Sequence, residues 1–326
     1  MNHFGRLFCV QIFGESHGRC TGVCIDGCPP GIAVQEADFD VDLARRRSGG
    51  RGSTPRIEAD IPKIMSGVFN GFTTGAPVLI LFENTNTRSG DYEQVTDIPR
   101  PGHADFVAGV KFCGFADYRG GGHFSGRITT GLVAAGVIAK KIIMPASVTA
   151  RILEIGGSLR WEETIEQCIA ESDSAGGIVE CVVENIPAGW GEPFFDSVES
   201  LIAHTVFAIP GVKGIEFGAG FAAARMRGSE HNDLFITTDG QTATNHTGGI
   251  NGGITNGNPI IFRVAVKPTS SIARPQQTIN IRTGETTTLE IHGRHDACIA
   301  LRIPPVLEAA TAIALADLKL SQCMIK

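Results

Sequence analysis

Apolar runs along the chain are separated by short polar, glycine-bearing breaks, and their spacing predicts the elements. Leu7 to Phe13 is apolar and ends at a glycine turn, which reads as a strand. Gly22 to Asp26 looks like its hairpin partner, followed by the turn Cys28-Pro29-Pro30-Gly31. From Glu36 the interval becomes helical: Phe39, Leu43 and the Arg46-Arg47 pair recur along one face until Ser48-Gly49-Gly50 breaks it. Ala76 to Phe82 predicts a continuous apolar strand, and Glu83 to Gly102, with Pro99 and Pro101, predicts a loop. The clearest helix runs from Arg127 to Ile143. Its Gly131, Ala134, Ala135, Gly136 and Ala139 predict burial with neighbours close on more than one side. Val148–Ile155, Ile178–Val183 and Ile260–Val266 read as strands; Thr164–Ala170, Phe195–Phe207 and Val306–Leu320 read as helices. No solenoid period and no long linker interrupts this order, so one α/β or α+β unit spanning 1–326 is expected.

Composition narrows the function. The 326 residues can bury a large core, and 42% hydrophobic with 19% charged residues is ordinary for a globular protein. A net charge of −6 argues against a dedicated nucleic-acid binder while leaving room for a local positive cleft. Forty-one glycines provide many places for backbone to approach a ligand closely. Nine scattered cysteines without a preceding signal peptide suggest reduced, intracellular thiols, and the absence of a run of 18 apolar residues argues against a membrane span.

Four clusters carry candidate chemistry. Gly14-Glu15-Ser16-His17-Gly18 places an imidazole in a glycine-bounded loop, suited either to acid–base work or to an ordinary surface turn. Arg45-Arg46-Arg47, with Arg51 and Arg56, is either a charge run at a helix end or a set of guanidinium forks for carboxylate and phosphate. Arg100-Pro101-Gly102-His103-Ala104-Asp105 precedes Asp117-Tyr118-Arg119-Gly120-Gly121-Gly122-His123-Phe124-Ser125-Gly126-Arg127. There a glycine turn entering a helix exposes backbone N–H groups to an oxyanion. Lys267-Pro268-Thr269-Ser270-Ser271 and Gly293-Arg294-His295-Asp296 form the fourth.

Other signals fail. Cys20, Cys24 and Cys28 lack the second close ligand pair of a zinc site, so no metal is expected. Gly218-Ala219-Gly220-Phe221-Ala222-Ala223 fits a loose dinucleotide fingerprint, but its helix would meet Gly228 too soon.

In this order the clusters resemble the chorismate synthase family across essentially the whole chain. Phe13 to Gly18, Asp26 to Gly31, Arg45 to Arg51, Arg100 to Asp105, Asp117 to Gly122, Lys267 to Ser271 and Gly293 to Asp296 carry the likeness. The resemblance implies a β-α-β sandwich with helices enclosed between antiparallel sheets, assembled as a cytoplasmic homotetramer. It implies a carbon–oxygen lyase of the shikimate pathway and aromatic amino acid biosynthesis. The reaction is a 1,4-anti elimination of phosphate from 5-enolpyruvylshikimate 3-phosphate, giving chorismate with reduced FMN and no net redox change. Whether NADPH reduces the flavin on the protein or an external flavin reductase does so stays open. So do net hydride transfer by an oxidoreductase and anion binding without catalysis.

By matching positions, the resemblance assigns Ser16, Arg46, Arg51, Arg127 and Arg294 to the substrate. His17 would protonate the departing phosphate, His103 would lie by the flavin ring, and Asp296 would assist proton removal or orient the ring. His123, Phe124, Ser125, Gly126, Pro210, Gly211, Gly252, Lys267, Pro268, Thr269, Ser270, Ser271 and Arg294 fall in flavin-contacting segments. The family pattern after the triple glycine is Arg-Ser-Ser-Ala-Arg. Here His123 replaces a permanent cation and Phe124 a hydroxyl, exchanges that bear on flavin affinity and its pH dependence.

Overall fold

The structure, a computed structural model, describes every residue except 1, 55, 57, 88–95, 292–294 and 326, with only the backbone at 323–325. In chain order the strands are β1 (His3–Phe4), β2 (Cys9–Gly14), β3 (Cys20–Asp26), β4 (Lys63–Ser66), β5 (Val68–Phe69), β6 (Phe72–Thr73) and β7 (Val78–Glu83). After these come β8 (Ser147–Ile155), β9 (Gly177–Glu184), β10 (Val212–Phe217), β11 (Ile250–Asn251), β12 (Ile254–Thr255), β13 (Ile260–Val266), β14 (Gln276–Ile279) and β15 (Thr286–Leu289). The helices are α1 (Asp40–Arg46), α2 (Asp105–Lys111), α3 (Thr129–Ile143), α4 (Trp161–Ala170), α5 (Val198–Val206), α6 (Gly228–His231) and α7 (Ile303–Ile325).

Two antiparallel sheets form the outer layers. One has the order β1-β2-β3-β7-β4 and the other β10-β13-β9-β8. Strand alternation explains which face each buries: Val78, Ile80 and Phe82 of β7 point inward, as do Ile260, Phe262, Val264 and Val266 of β13. Helices α3 and α7 fill the space between, with α3 against β3 and α7 against β8 and β9. The layers are therefore sheet, helices, sheet, as the resemblance implied.

The small residues of α3 are the reason two helices fit there. A Cβ at Gly131 would sit 2.8 Å from the Gly22 carbonyl oxygen, and one at Gly136 would sit 2.3 Å from the Ala309 Cβ. Helix α3 thus touches the sheet on one side and α7 on the other, and twelve of its fifteen residues are buried. Helix α7 is equally enclosed. By length and composition alone Ile299–Gln322 could cross a membrane, but 83% of its apolar window lies inside the fold. Its hydrophobicity on all sides is that of a core helix.

Several boundaries move for local reasons. Ser197 accepts the Ser200 N–H and starts α5 at Val198, leaving Phe194–Asp196 as a separate 3₁₀ turn. Pro304 and Pro305 sit in the first turn of α7, where missing N–H donors cost nothing, so the helix begins before Val306. Helix α2 and strand β10 carry no strong period and were absent from the pattern. The segment from Gly220 forms only the 3₁₀ turn Gly220–Arg225. The eight described cysteines are free thiols; burial pushes Cys28 up to about 11.

A buried ionic knot ties α1, α3, β8 and α7 together. Glu308, almost fully buried, accepts from both Arg45 terminal nitrogens at 2.8 and 2.7 Å, from Lys140 at 2.9 Å and from the Ala150 N–H at 2.9 Å. Burial alone would raise the Glu308 carboxyl, but Arg45 and Lys140 hold it below its ordinary value. Because the folded value is the lower one, this stability is present above about pH 4 and is lost as pH falls through the folded value. Glu308→Gln should lower stability by about 2 kcal/mol or more near pH 7, read from the urea midpoint. The gap to wild type should narrow below about pH 4; a constant gap would refute this account.

Candidate active site

A cavity of about 870 Å³ opens between the first sheet, the start of α3 and the segment after β13. Among the described residues eight cationic side chains line it, Arg46, Arg47, Arg56, Arg100, Arg127, Lys213, Lys267 and Arg302, against three carboxylates, Glu58, Asp60 and Asp296. Such an excess of positive charge in a walled cleft selects for an anionic ligand.

Arg46 ends α1 and Arg127 precedes α3, and both reach one buried carboxylate. Asp60 Oδ2 accepts from Arg46 Nη2 at 2.6 Å, and Oδ1 accepts from Arg127 Nη1. All three side chains are at least 95% buried. Arg127 also donates from Nε to Asn84 Oδ1 at 2.9 Å. The charges of Arg46 and Arg127 overcome the effect of burial and hold Asp60 below the usual carboxylate range. Burial pushes Arg46 down to about 10 against the pull of Asp60, so it remains a cation at neutral pH.

Three of the remaining arginines, Arg56, Arg100 and Arg302, are also braced by carboxylates. Arg56 donates to Glu58 Oε1 at 2.7 Å and to Ser16 Oγ at 2.9 Å, while Glu58 accepts the Thr85 N–H at 3.0 Å. Arg302 Nη1 faces both Asp296 oxygens at 3.4 Å, and Asp296 Oδ1 accepts the Thr54 N–H at 2.9 Å. Arg100 grips Asp105 through Nε and Nη2, each at 2.7 Å. His103 Nδ1 lies 2.6 Å from the same carboxylate. Arg100 Nη2 also lies 3.0 Å from Nδ1, but an ionised carboxylate only accepts, so the shorter contact places the proton on Nδ1, and Nε2 faces Gly121. Burial would raise Asp105, but the bonds from Arg100 and His103 hold it well below the usual range.

His17 stands behind the cavity wall. Residues Gly120, Gly121 and Gly122 take left-handed φ values of 60°, 79° and 53°. A Cβ at Gly120 would meet the His17 ring at 2.6 Å and Ser16 Oγ at 2.8 Å. Gly120 lines the cavity, whereas His17, packed against it, does not. His17 and Ser16 are themselves buried.

Of the other predicted residues, Asp296, His103, Phe124, Ser125, Gly126, Pro210, Gly211 and Lys267 to Ser271 line the cavity. His123 does so too, with its Nδ1 donating to the Gly14 carbonyl at 2.7 Å. Arg51 lies elsewhere, its side chain 73% exposed and paired with Glu166. Gly252 sits at the exposed turn joining β11 and β12, outside the cavity wall. Arg294 lies outside the described residues. The arginine run divides: Arg45 turns to Glu308, Arg46 and Arg47 face the cavity, and Arg51 faces solvent. Sequence reasoning missed Asp60, Glu58 and Arg302. Acids at alternate positions after Arg56 were the available signal for the first two.

Lys267 and Lys213 share the wall after β13 and before the middle of β10. Burial, with repulsion from Lys213, holds the Lys267 ammonium below its ordinary value, a strain an anion would relieve. Thr269 Oγ1 beside them is buried without a hydrogen-bond partner among the described residues.

Gly120→Ala should displace the His17 ring and cost about 1–3 kcal/mol of stability. The measurements are thermal unfolding and the His17 ring resonances; unchanged resonances would contradict the packing described.

Comparisons with known proteins bear on the family of the chain. A family model described as chorismate synthase matches residues 8–320. A chorismate synthase from Chitinophaga pinensis is 64% identical over 321 residues, covering 98% of this chain and 97% of its own. One from Dehalococcoides mccartyi is 47% identical over 351 residues, covering 98% and 96%. A crystal structure of chorismate synthase superposes with a TM-score of 0.75 at 24% identity, covering 98% of this chain and 93% of that one, a likeness that bears on the fold alone. With its family match, its close relatives and its cationic cavity, this chain belongs to the chorismate synthase family.

Proposed function

We propose that the cavity binds 5-enolpyruvylshikimate 3-phosphate beside reduced FMN and eliminates phosphate in a 1,4-anti sense to give chorismate. The observation that carries this reading is the meeting of Arg46 and Arg127, from distant parts of the chain, in a walled cavity whose described residues carry an excess of five positive charges. Membership of the family makes the chain a lyase acting on phosphates in aromatic amino acid biosynthesis. The substrate carries two carboxylates and a phosphate, and taking them out of water demands fixed cations.

The wall suits a flavin on the chemistry of its donors. Lys213, Lys267 and the Thr269 hydroxyl, which has no partner among the described residues, can hold a phosphate-bearing tail, and Ile209, Val212 and Ile299 offer an apolar surface to a flat ring. Reduced FMN, when bound there, supplies electron density for loss of the substrate's phosphate. The protein's own groups do the rest. Arg46 and Arg127 orient the anions, with Arg302 and Asp296 completing the wall behind them. His103 keeps its Nδ1 proton on Asp105 and so presents Nε2 as the atom that takes or gives a proton. His17, packed on Gly120 just outside the cavity lining, is the proposed acid for the departing phosphate, a role that requires the glycine turn to let the ring come within hydrogen-bond reach of the substrate. Exposed Phe115, Phe194, Phe195, Phe221 and Phe235 support assembly of several copies, with the tetramer as the proposed state.

Under nitrogen, the protein with dithionite-reduced FMN should release one phosphate per chorismate without net consumption of NAD(P)H. Absence of phosphate release would end the lyase reading, and stoichiometric NAD(P)H oxidation would replace it with net hydride transfer. His17→Ala should lower kcat by about a hundredfold or more while leaving KM largely intact. A near-wild-type kcat would remove His17 from the chemistry.

A further inference from the structure

Among the described residues of the cavity wall, Asp60 alone hydrogen-bonds two guanidiniums at once. Its two oxygens are divided between them, Oδ2 to Arg46 and Oδ1 to Arg127, so the plane of one carboxylate sets the angle between two cations. We infer that Asp60 is a positioning residue, which fixes Arg46 and Arg127 in the orientation that receives the substrate's anionic groups before the substrate arrives. This rests on the reading of the cavity given above.

Three observations support it. The first is electrostatic: two guanidiniums buried side by side repel each other, and Arg302 adds to the repulsion on Arg46. An anion between them is required to keep both in place, and Asp60 is that anion. The second is the distribution of hydrogen bonds. Arg127 is anchored at every nitrogen, by Asn84, Asp60 and the Glu83 carbonyl. Arg46 is not: its Nη1 finds only Gly126 O and Thr129 Oγ1 at 3.4 Å, and its Nε has no acceptor among the described residues. One guanidinium is thus locked and the other keeps donor capacity, with Asp60 linking them. The third is backbone conformation. Asp60 sits at φ 49°, in the left-handed region that residues with a side chain seldom occupy. The chain accepts that conformation while delivering a carboxylate into the wall, a pattern found where geometry serves function. The low carboxyl pKa is consistent, because it keeps the group ionised throughout the neutral range.

In Asp60→Asn one oxygen becomes an amide that donates, so one arginine loses its acceptor and faces another donor. The test is calorimetric titration of the full-length protein, without flavin, with 5-enolpyruvylshikimate 3-phosphate. Asp60→Asn should bind about tenfold to a hundredfold more weakly than wild type. In an Arg127→Gln background the same substitution should cost less affinity than it does in wild type, because only Arg46 is left for Asp60 to hold. Asp60→Glu, which keeps the charge but moves it, should also lose affinity while unfolding cooperatively, and it serves if the Asn variant does not fold. Wild-type affinity in both Asp60 variants would overturn the inference. So would an equal loss from Asp60→Asn with and without Arg127. If wild type itself fails to bind the substrate, the functional reading falls and this inference falls with it; if only the variants are indistinguishable from wild type, the functional reading stands without it.

Discussion

A guanidinium can be held away from water only if a carboxylate stands with it, and the active site is organised around that constraint. Asp60 braces Arg46 and Arg127, Glu58 braces Arg56, Asp105 braces Arg100, and Asp296 faces Arg302. Each pairing lowers the cost of burying a cation in the cavity wall. Because one carboxylate serves two arginines at Asp60, and Lys213 and Lys267 have none between them among the described residues, the wall keeps a surplus of positive charge. That surplus is what a multiply anionic ligand can use.

The fold exists, in effect, to bring these pairs together. Arg46 comes from the end of α1, Asp60 from the segment before β4, Asn84 from the end of β7 and Arg127 from the approach to α3. They converge because α3 lies in the middle layer with its N-terminal end at the cavity. The position of α3 depends in turn on Gly131 and Gly136, which let it approach β3 and α7 at backbone distance. Larger residues would spread the layers, and the arginines with them. The Glu308 knot plays the same part from the far side, fastening α1, α3 and β8 to α7.

The glycine turn illustrates how the site divides labour between side chains and backbone. Three successive left-handed residues place bare Cα atoms where side chains would strike His17, Ser16 and the Asp117 carbonyl. The imidazole can therefore lie directly under the wall. His103 is held differently, by a carboxylate that is itself gripped by Arg100, so its ring is oriented by charge rather than by packing. Two histidines with separate supports can retain separate roles.

By itself, the sequence determined the strongly periodic elements. Strands Ala76–Phe82 and Ile260–Val266 and the helix from Arg127 were legible because alternation and small-residue spacing report burial directly. The ordered motifs also identified His103, Arg46, Arg127, Asp296 and the Lys267 segment, which share one cavity. Short or weakly periodic pieces such as α2 and β10 were not legible, since their place depends on neighbours rather than on their own pattern. Only the tertiary structure decided which member of an arginine run faces what. Arg45, Arg46 and Arg51 look alike in sequence, yet one meets Glu308, one Asp60 and one Glu166. The same holds for Asp60, whose single carboxylate is unremarkable until the fold buries it between two cations. Charge takes its meaning from what lies within a few ångströms, and that is set by contacts distant along the chain.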